Sequence, residues 1–236
     1  TGIGLAIAHM LAERGAHVTI TGRRQEVLEE VATKGMTAMA MDVRSEEDVM
    51  TKIATAVEAR GPIQICVPNA GIATGKAAHK TDMDFWRDMM ATNLDGAFLT
   101  IRESLRSMRE TDWGRVIAVS SMAGLKGLPG AACYSASKHG MIGLIRSLSE
   151  EYMGKPYTFN SLCPGYVDTP IVTRNTQSIS ERAGISEDEA RNMMVKANRH
   201  KRLITVEEVA AAAAWLVGPD SGSINGQSVE IAGGMM

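Results

Sequence analysis

Hydrophobic and polar positions change period repeatedly along the chain, and each change marks an element. Apolar residues recur at helical spacing from Gly4 to Arg14, and His17 to Thr21 then alternates as a strand does. The pattern repeats with a helix from about Gln25 to Thr33 and a strand at Met36 to Met41. A helix from Glu46 to Ala59 and a strand at Ile63 to Val67 follow. Thr81 to Arg109 reads as one long helix. Gly114 to Ser120, with Arg115 to Val119 at its centre, is apolar and β-branched, as in a strand buried on both faces. Helical periodicity returns from Tyr134 to Glu150, and Tyr157 to Leu162 and Gln227 to Ile231 read as the last strands. Ala210 to Ala214 is a run of strong helix formers whose smooth surface suits close helix packing. This alternation predicts an α/β fold, a doubly wound parallel sheet covered by helices on both faces.

No linker, repeat or low-complexity tract divides residues 1–236, which read as one domain. Asp168 to Lys201 is a polar stretch with helical pieces, placed after the Pro164-Gly165 turn. A long excursion near the C-terminal ends of the strands reads as a substrate lid at about 168–201, with a decorative insertion as the alternative.

Composition narrows the function classes. Hydrophobic residues at 44% and charged residues at 22% are ordinary for a soluble globule, and a net charge of −2 gives no reason to expect nucleic acid or anionic membrane as partner. The longest apolar run, Val209 to Val217, falls short of the ~20 residues of a membrane span. No secretory signal is visible, and Cys66, Cys133 and Cys163 are odd in number without C-x-x-C. Free thiols and a cytoplasmic location are expected.

Chemistry concentrates in Ser121 to Lys138, SMAGLKGLPGAACYSASK. Tyr134 and Lys138 fall on one helix face, a turn apart. A phenol titrates at ~10 in isolation, and a nearby ammonium favours its ionised form. Such a phenol suits protonation of a developing alkoxide or deprotonation of an alcohol near neutral pH. A bare Tyr-x-x-x-Lys is more often a buried tyrosine beside a snorkelling lysine. Ser121 upstream and the glycines at the front of the chain reverse that judgement.

Thr1-Gly2-Ile3-Gly4 runs straight into a helix, and glycines there let a phosphate approach the backbone. A phosphate-binding turn hangs from a strand. None precedes this one, so the first strand and first motif glycine are expected upstream of the sequence. At the end of the second strand Gly22 stands where a carboxylate would hold ribose hydroxyls, and Arg23 and Arg24 follow. Arginines there accommodate a 2′-phosphate, which favours NADP(H) over NAD(H). Asp42-Val43 could contact the adenine; a helix cap is the alternative, though Ser45 before Glu46, Glu47 and Asp48 fills that role better. Asn69-Ala70-Gly71 permits close approach to a ribose.

These pieces in this order resemble the short-chain dehydrogenase/reductase family, in its shorter single-domain subtype with a Rossmann-like NAD(P)-binding fold. The resemblance rests on Gly2, Gly4, Asp42, Asn69-Ala70-Gly71, Asn93, Ser121, Tyr134, Lys138, Pro164-Gly165 and Thr169, and runs on to Gly233-Gly234. It departs at the missing first glycine and strand, and at Pro68 before Asn69. It implies a catalytic set of Asn93, Ser121, Tyr134 and Lys138. Tyr134 would be general acid in reduction and base in oxidation, and Ser121 would clamp the carbonyl or alcohol oxygen. Lys138 would lower the Tyr134 pKa and bind the nicotinamide ribose, and Asn93 would hold a water in a proton relay. The implied cofactor contacts are Gly2, Ile3 and Gly4, Asp42 and Val43, Asn69, Ala70 and Gly71, Tyr134 and Lys138, then Pro164, Gly165, Val167 and Thr169. Arg23 and Arg24 stand at the adenosine end, and Thr169 would hold the carboxamide.

Within the family, Tyr134 to Gly140 and the Asn225-Gly226-Gln227 ending look like reductases of β-ketoacyl thioesters, polyketides and hydroxybutyrate. That implies a small-molecule carbonyl or secondary alcohol as substrate, an acyl thioester among them, and no metal. It also implies a homotetramer (or homodimer) through the helices of Asn93 and Tyr134, with a second contact near the C-terminus. In the lid, Arg174, Arg182, Arg191, Lys196, Arg199, His200 and Lys201 could meet an anionic carrier, but interspersed acids make a solvated face the better reading.

Other functions share parts of this pattern. An NAD-dependent dehydrogenase of a small hydroxy acid or secondary alcohol shares all these residues. A non-catalytic nucleotide sensor has no need of the complete Asn-Ser-Tyr-Lys set. Ser135-Ala-Ser-Lys138 fits the S-x-x-K of serine hydrolases without its companion motifs, and the five His lack H-E-x-x-H. An epimerase or dehydratase of the longer related fold usually needs an added substrate domain.

Overall fold

The structure is a computed structural model and describes residues 2–235; Thr1 of the glycine motif lies outside the described residues. Helix α1 (Ile3–Glu13) leads into β1 (Val18–Gly22), α2 (Gln25–Val31), β2 (Met36–Ala40), α3 (Glu46–Arg60) and β3 (Ile65–Cys66). Then come α4 (Met83–Met90), a π-helical segment (Ala91–Asp95), α5 (Gly96–Met108), β4 (Gly114–Val119), α6 (Ala132–Glu151) and β5 (Tyr157–Pro164). The chain closes with α7 (Pro170–Ala183), α8 (Glu187–Ala197), α9 (Val206–Leu216) and β6 (Ser228–Ile231).

Every strand pairing is parallel, in the order β1-β2 and, separately, β3-β4-β5-β6. The two sheets part between β1 and β3. Residues of β1 and β3 both line a cavity of about 530 Å³ there, with Ile7, Leu11 and Ile53 among its other walls. Strand β3 holds two residues where five are expected. Its pairing with β4 continues beyond both ends, because Arg115 N donates to Gln64 O (2.8 Å) and Val119 N to Pro68 O (2.9 Å).

Helices cover both faces. Ile7 and Leu11 of α1 and Val209, Ala213 and Leu216 of α9 pack on Ile117, Val119 and Leu162 of the sheet. Ile101 and Leu105 of α5 and Met141 and Ile145 of α6 pack on the other face, around Val116, Ala118 and Phe159. The alanines of α9 bring it along α1, as their small side chains predict. Burying each large apolar side chain stabilises the fold by about 1.5–3 kcal/mol. This clamps β4 and β5 between two helical layers and fixes the ends of those strands, where the site is built.

The expected helix from Thr81 to Arg109 starts later, at Met83 with Asp82 as its cap (Phe85 N to Asp82 Oδ1, 2.8 Å). It is one continuous rod interrupted by the π turn that carries Asn93. Beyond β5, α7 and α8 form a hairpin joined at Gly184 and restarted by a capping box between Ser186 and Glu189.

Candidate active site

Strand β4 delivers Ser120 and Ser121 to the C-terminal edge of the sheet, where Ser120 N donates to Leu162 O (2.8 Å) and locks that end to β5. Ser121 caps a short 3₁₀ turn by accepting from Ala123 N at 3.1 Å, which leaves its own proton and a lone pair free. The turn lies directly on α6. A Cβ on Gly124 would come within 2.7–2.8 Å of Ser120 Oγ, Ile142 Cδ1 and Lys138 O, so only glycine permits this approach. Ser120 Oγ adds a hydrogen bond to Lys138 O (3.2 Å).

Helix α6 carries Tyr134 in its first turn and Lys138 one turn later. Lys138 is 4% exposed, and its Nζ donates to Val119 O at 2.8 Å and lies 5.9 Å from the Tyr134 ring centroid. Among the described residues no carboxylate pairs with it, and burial pushes its pKa down to about 8. Tyr134 departs from expectation: burial raises its pKa, and the Ser121 hydroxyl opposes that shift. The lysine's charge is aimed at the Val119 carbonyl instead of the phenol, so desolvation decides the direction.

Asn93 is fully buried. Its Oδ1 accepts from Ile72 N (2.8 Å), and its Nδ2 donates to Ile72 O (2.9 Å) and Ser137 Oγ (3.0 Å). Both amide protons are thus committed, and the side chain braces the loop after β3 against α6. The expected relay water would have only the second lone pair of Oδ1 to meet. The π turn belongs to this arrangement, since such turns re-aim one residue within a continuous helix. Gly71 closes the cluster: a Cβ there would lie 3.2 Å from Asn93 Oδ1 and 3.7 Å from Lys138 Nζ. Four segments distant in sequence therefore meet around one buried ammonium.

The cofactor candidates lie along the same strand ends. Gly2 has φ +65°, which a glycine adopts without strain, and Gly4 touches the Asn69 side chain. Ile3 packs against the α1–α9 core, and Ala70 links Asn69 to Gly71. Arg23 and Arg24 are exposed, and among the described residues neither makes an ion pair. Asp42 is engaged with Arg44 (2.8 Å), which also reaches Asp88 (3.1 Å) and holds the Asp42 carboxyl below its ordinary range. Ser45 is the helix cap, accepting from Asp48 N, as its sequence context predicts. Val43 packs on Gly96 at the start of α5.

At the other end, Pro164 ends β5, Gly165 N donates to Ile231 O (2.9 Å), and Val167 bridges to Ile204. Thr169 Oγ1 donates to Val167 O (3.2 Å), and Thr169 Cγ2 faces Gly2. Sequence reasoning missed Asn198. It is fully buried, accepts from Tyr166 N (2.9 Å) and donates to Tyr166 O (2.9 Å) and Arg202 O (2.7 Å), so it fixes the loop between Gly165 and Thr169. Tyr166 lies 32 residues away and Arg202 only four, and no local pattern signals the brace. Tyr166 and Cys163, half-buried and buried beside Tyr134, were also missed.

Among the described residues no helix is long and apolar enough to cross a membrane, and no cluster of His, Cys, Asp or Glu could hold a metal. All three cysteines are free and buried.

Comparison with known proteins agrees with this geometry. A family described as enoyl-(acyl carrier protein) reductase matches residues 1–236. D-β-hydroxybutyrate dehydrogenase of Rhizobium meliloti is 34% identical over 245 residues, 99% of this chain and 94% of that protein. The 3-oxoacyl-[acyl-carrier-protein] reductase FabG of Vibrio cholerae is 32% identical, over 99% and 93%. Among solved structures, an actinorhodin polyketide ketoreductase variant with NADPH superposes with a TM-score of 0.95 at 32% identity, covering 99% of this chain and 92% of that one. Strand order, the meeting of Ser121, Tyr134, Lys138 and Asn93, and these likenesses agree: the chain belongs to the short-chain dehydrogenase/reductase family of oxidoreductases.

Proposed function

We propose that this oxidoreductase, which acts on a ketone or secondary alcohol, is a single-domain enzyme that uses NADPH to reduce a β-ketoacyl-type substrate beneath a lid at about 168–201. The observation that carries the reading is the convergence of Ser121, Tyr134 and Lys138 at the end of β4 and the start of α6, with Arg23 and Arg24 exposed after β1. The residues present fit a phosphorylated dinucleotide: glycines at a helix start, small residues at Asn69-Ala70-Gly71, and two arginines that form no ion pair among the described residues. The nicotinamide supplies the hydride.

The chain's own groups supply the rest. The Tyr134 hydroxyl gives its proton to the carbonyl oxygen in reduction and takes it back in oxidation. Burial keeps that phenol protonated at neutral pH, the form a general acid needs. Ser121 donates its free proton to the same oxygen and stabilises the charge that develops there. Lys138, charged below about pH 8, gives one ammonium proton to Val119 O and keeps two for ribose hydroxyls. Asn93 holds Gly71-Ile72 and α6 in register. Asp42, Val43, Pro164, Gly165, Val167 and Thr169 form the walls against adenine and carboxamide in this reading.

The likeness to FabG and to the polyketide ketoreductase supports a ketoacyl substrate and NADPH. The likeness to hydroxybutyrate dehydrogenase favours a second reading, oxidation of a small hydroxy acid with NAD⁺. Kinetics with acetoacetyl-coenzyme A and NADPH or NADH, run beside 3-hydroxybutyrate with NAD⁺, decide between them. Faster turnover of the hydroxy acid with NAD⁺ would overturn the first. We also propose a cytoplasmic homotetramer assembled through α5 and α6; Phe98, 44% exposed on α5, offers an apolar contact. Light scattering on the purified protein tests the assembly.

A further inference from the structure

Residues 165–169 reach both halves of the site. The Tyr166 phenol lies close enough to Tyr134 to oppose its ionisation, and Thr169 Cγ2 lies 3.2 Å from where a Cβ on Gly2 would sit. The residue that fixes this loop comes from outside it. Asn198, the C-cap of α8, is fully buried. Its Oδ1 is the acceptor for Tyr166 N, and its two amide protons go to Tyr166 O and Arg202 O. Gly165 is matched to it, because a Cβ there would overlap Asn198 Oδ1. The turn that carries Asn198 is anchored to the sheet. Arg199 N donates to Ala232 O (2.9 Å) just past β6, and a Cβ on Gly233 would overlap the His200 ring. Lys201 follows at φ +59°, among the described residues the one non-glycine in the left-handed region, and its N donates to Asn198 O (3.0 Å). Strain of that kind persists only where the surroundings enforce it. Ile204 completes the frame: its N donates to Tyr166 O (3.0 Å), and its O accepts from Asp168 N (2.9 Å).

We propose that Asn198 is a positioning residue for hydride transfer: by holding Tyr166 to the turn at 198–201, it sets the wall of residues 165–169 relative to Tyr134. The proposal rests on the reading above, in which that wall faces the nicotinamide, and adds the residue that places it. Without the amide, Tyr166 N loses its acceptor in a buried place, and the loop must move to find another. The test compares wild type with Asn198→Ala and Asn198→Asp, which keeps the accepting oxygen and loses both donated bonds. Enzyme preloaded with NADPH is mixed with acetoacetyl-coenzyme A in stopped-flow single turnovers. The amplitude counts folded, cofactor-bound enzyme, and the rate constant reads the hydride step within it. Two readouts need no turnover: the emission of bound NADPH, which reports how firmly the nicotinamide is held, and affinity for adenosine 2′-monophosphate, which reports the other end.

Asn198→Ala is expected to slow the single-turnover rate about 10²-fold, the cost of misplacement by about 1 Å. Asn198→Asp should recover part of that rate. Both should dim bound NADPH and leave adenosine 2′-monophosphate affinity unchanged. A wild-type rate at reduced amplitude would overturn the proposal, because Asn198 would then serve folding alone. Bound NADPH as bright in Asn198→Ala as in wild type would overturn it too. Hydrogen exchange on the wild type requires no variant to fold: the Tyr166 amide should be as protected as those of β5, and rapid exchange would remove the brace. Wild-type enzyme that binds neither NADPH nor NADH would show, before any variant is made, that the cofactor reading itself fails, and the role of Asn198 with it.

Discussion

Lys138 is buried with a main-chain carbonyl for a partner and no carboxylate, and the pH behaviour of the site turns on it. Its folded pKa of about 8 lies below the 10.5 of an unfolded lysine. Between those values the unfolded chain holds a proton that the native chain lacks, so stability rises as pH climbs through that window. Urea unfolding of the cofactor-free protein at several pH values should show this rise, and Lys138→Met should flatten it. For catalysis the sign is opposite. Reduction needs Tyr134 protonated and Lys138 charged, so kcat/KM for ketone reduction should fall as pH passes about 8, as a pH-rate profile would show. An unchanged rate up to pH 10 would contradict the assigned charge state. The Ser121, Tyr134 and Lys138 types were legible because spacing alone places them on one strand end and one helix face. The balance of forces on the phenol was not: it depends on burial, which no local sequence pattern displays.

At the level of elements, the turn between β4 and α6 sets the distance between hydroxyl and phenol, and Gly124 makes that turn possible. A methyl there must displace the Ser120 hydroxyl or Ile142. Gly124→Ala is therefore predicted to lower kcat about 10²-fold through misplacement of Ser121, with NADPH affinity kept, measured by steady-state kinetics beside equilibrium binding. Helix α7 offers a second case. Arg182 Nη1 donates to Gly75 O at 2.8 Å and ties the far end of α7 to the loop after β3. Arg182→Ala should loosen that end, read as faster proteolysis within residues 170–197 in the absence of cofactor. Helices and strands were legible from periodicity. The π turn was not, because one added residue scarcely alters an amphipathic pattern; it is set by Asn93 reaching Ile72, a tertiary contact. Strand β3 is shorter than its apolar run suggests, flanked as it is by Pro62 and Pro68, which cannot donate to a ladder.

Across the whole molecule, two helical layers hold the strand ends in place, and the core is continuous through β4 and β5. Phe159 lies at its centre with no exposed surface, and Phe159→Ala should cost about 3–5 kcal/mol in denaturant unfolding. Parallel α/β architecture was legible because strands and helices alternate along the chain. The division of the sheet between β1 and β3 was not legible, and the cavity walls there come from α1, α3 and α5 together. The Asn198 brace and the Arg44–Asp88 pairing join parts that only folding brings together. The measurement that bears most directly on function is NADPH consumption with acetoacetyl-coenzyme A by wild-type enzyme and by Tyr134→Phe, with NADPH binding measured on both. The expected result is turnover by the wild type, a loss of about 10²–10⁴-fold in the variant, and equal cofactor affinity. A variant that turns over at the wild-type rate would contradict Tyr134 as the proton donor, and with it the chemistry assigned to this site.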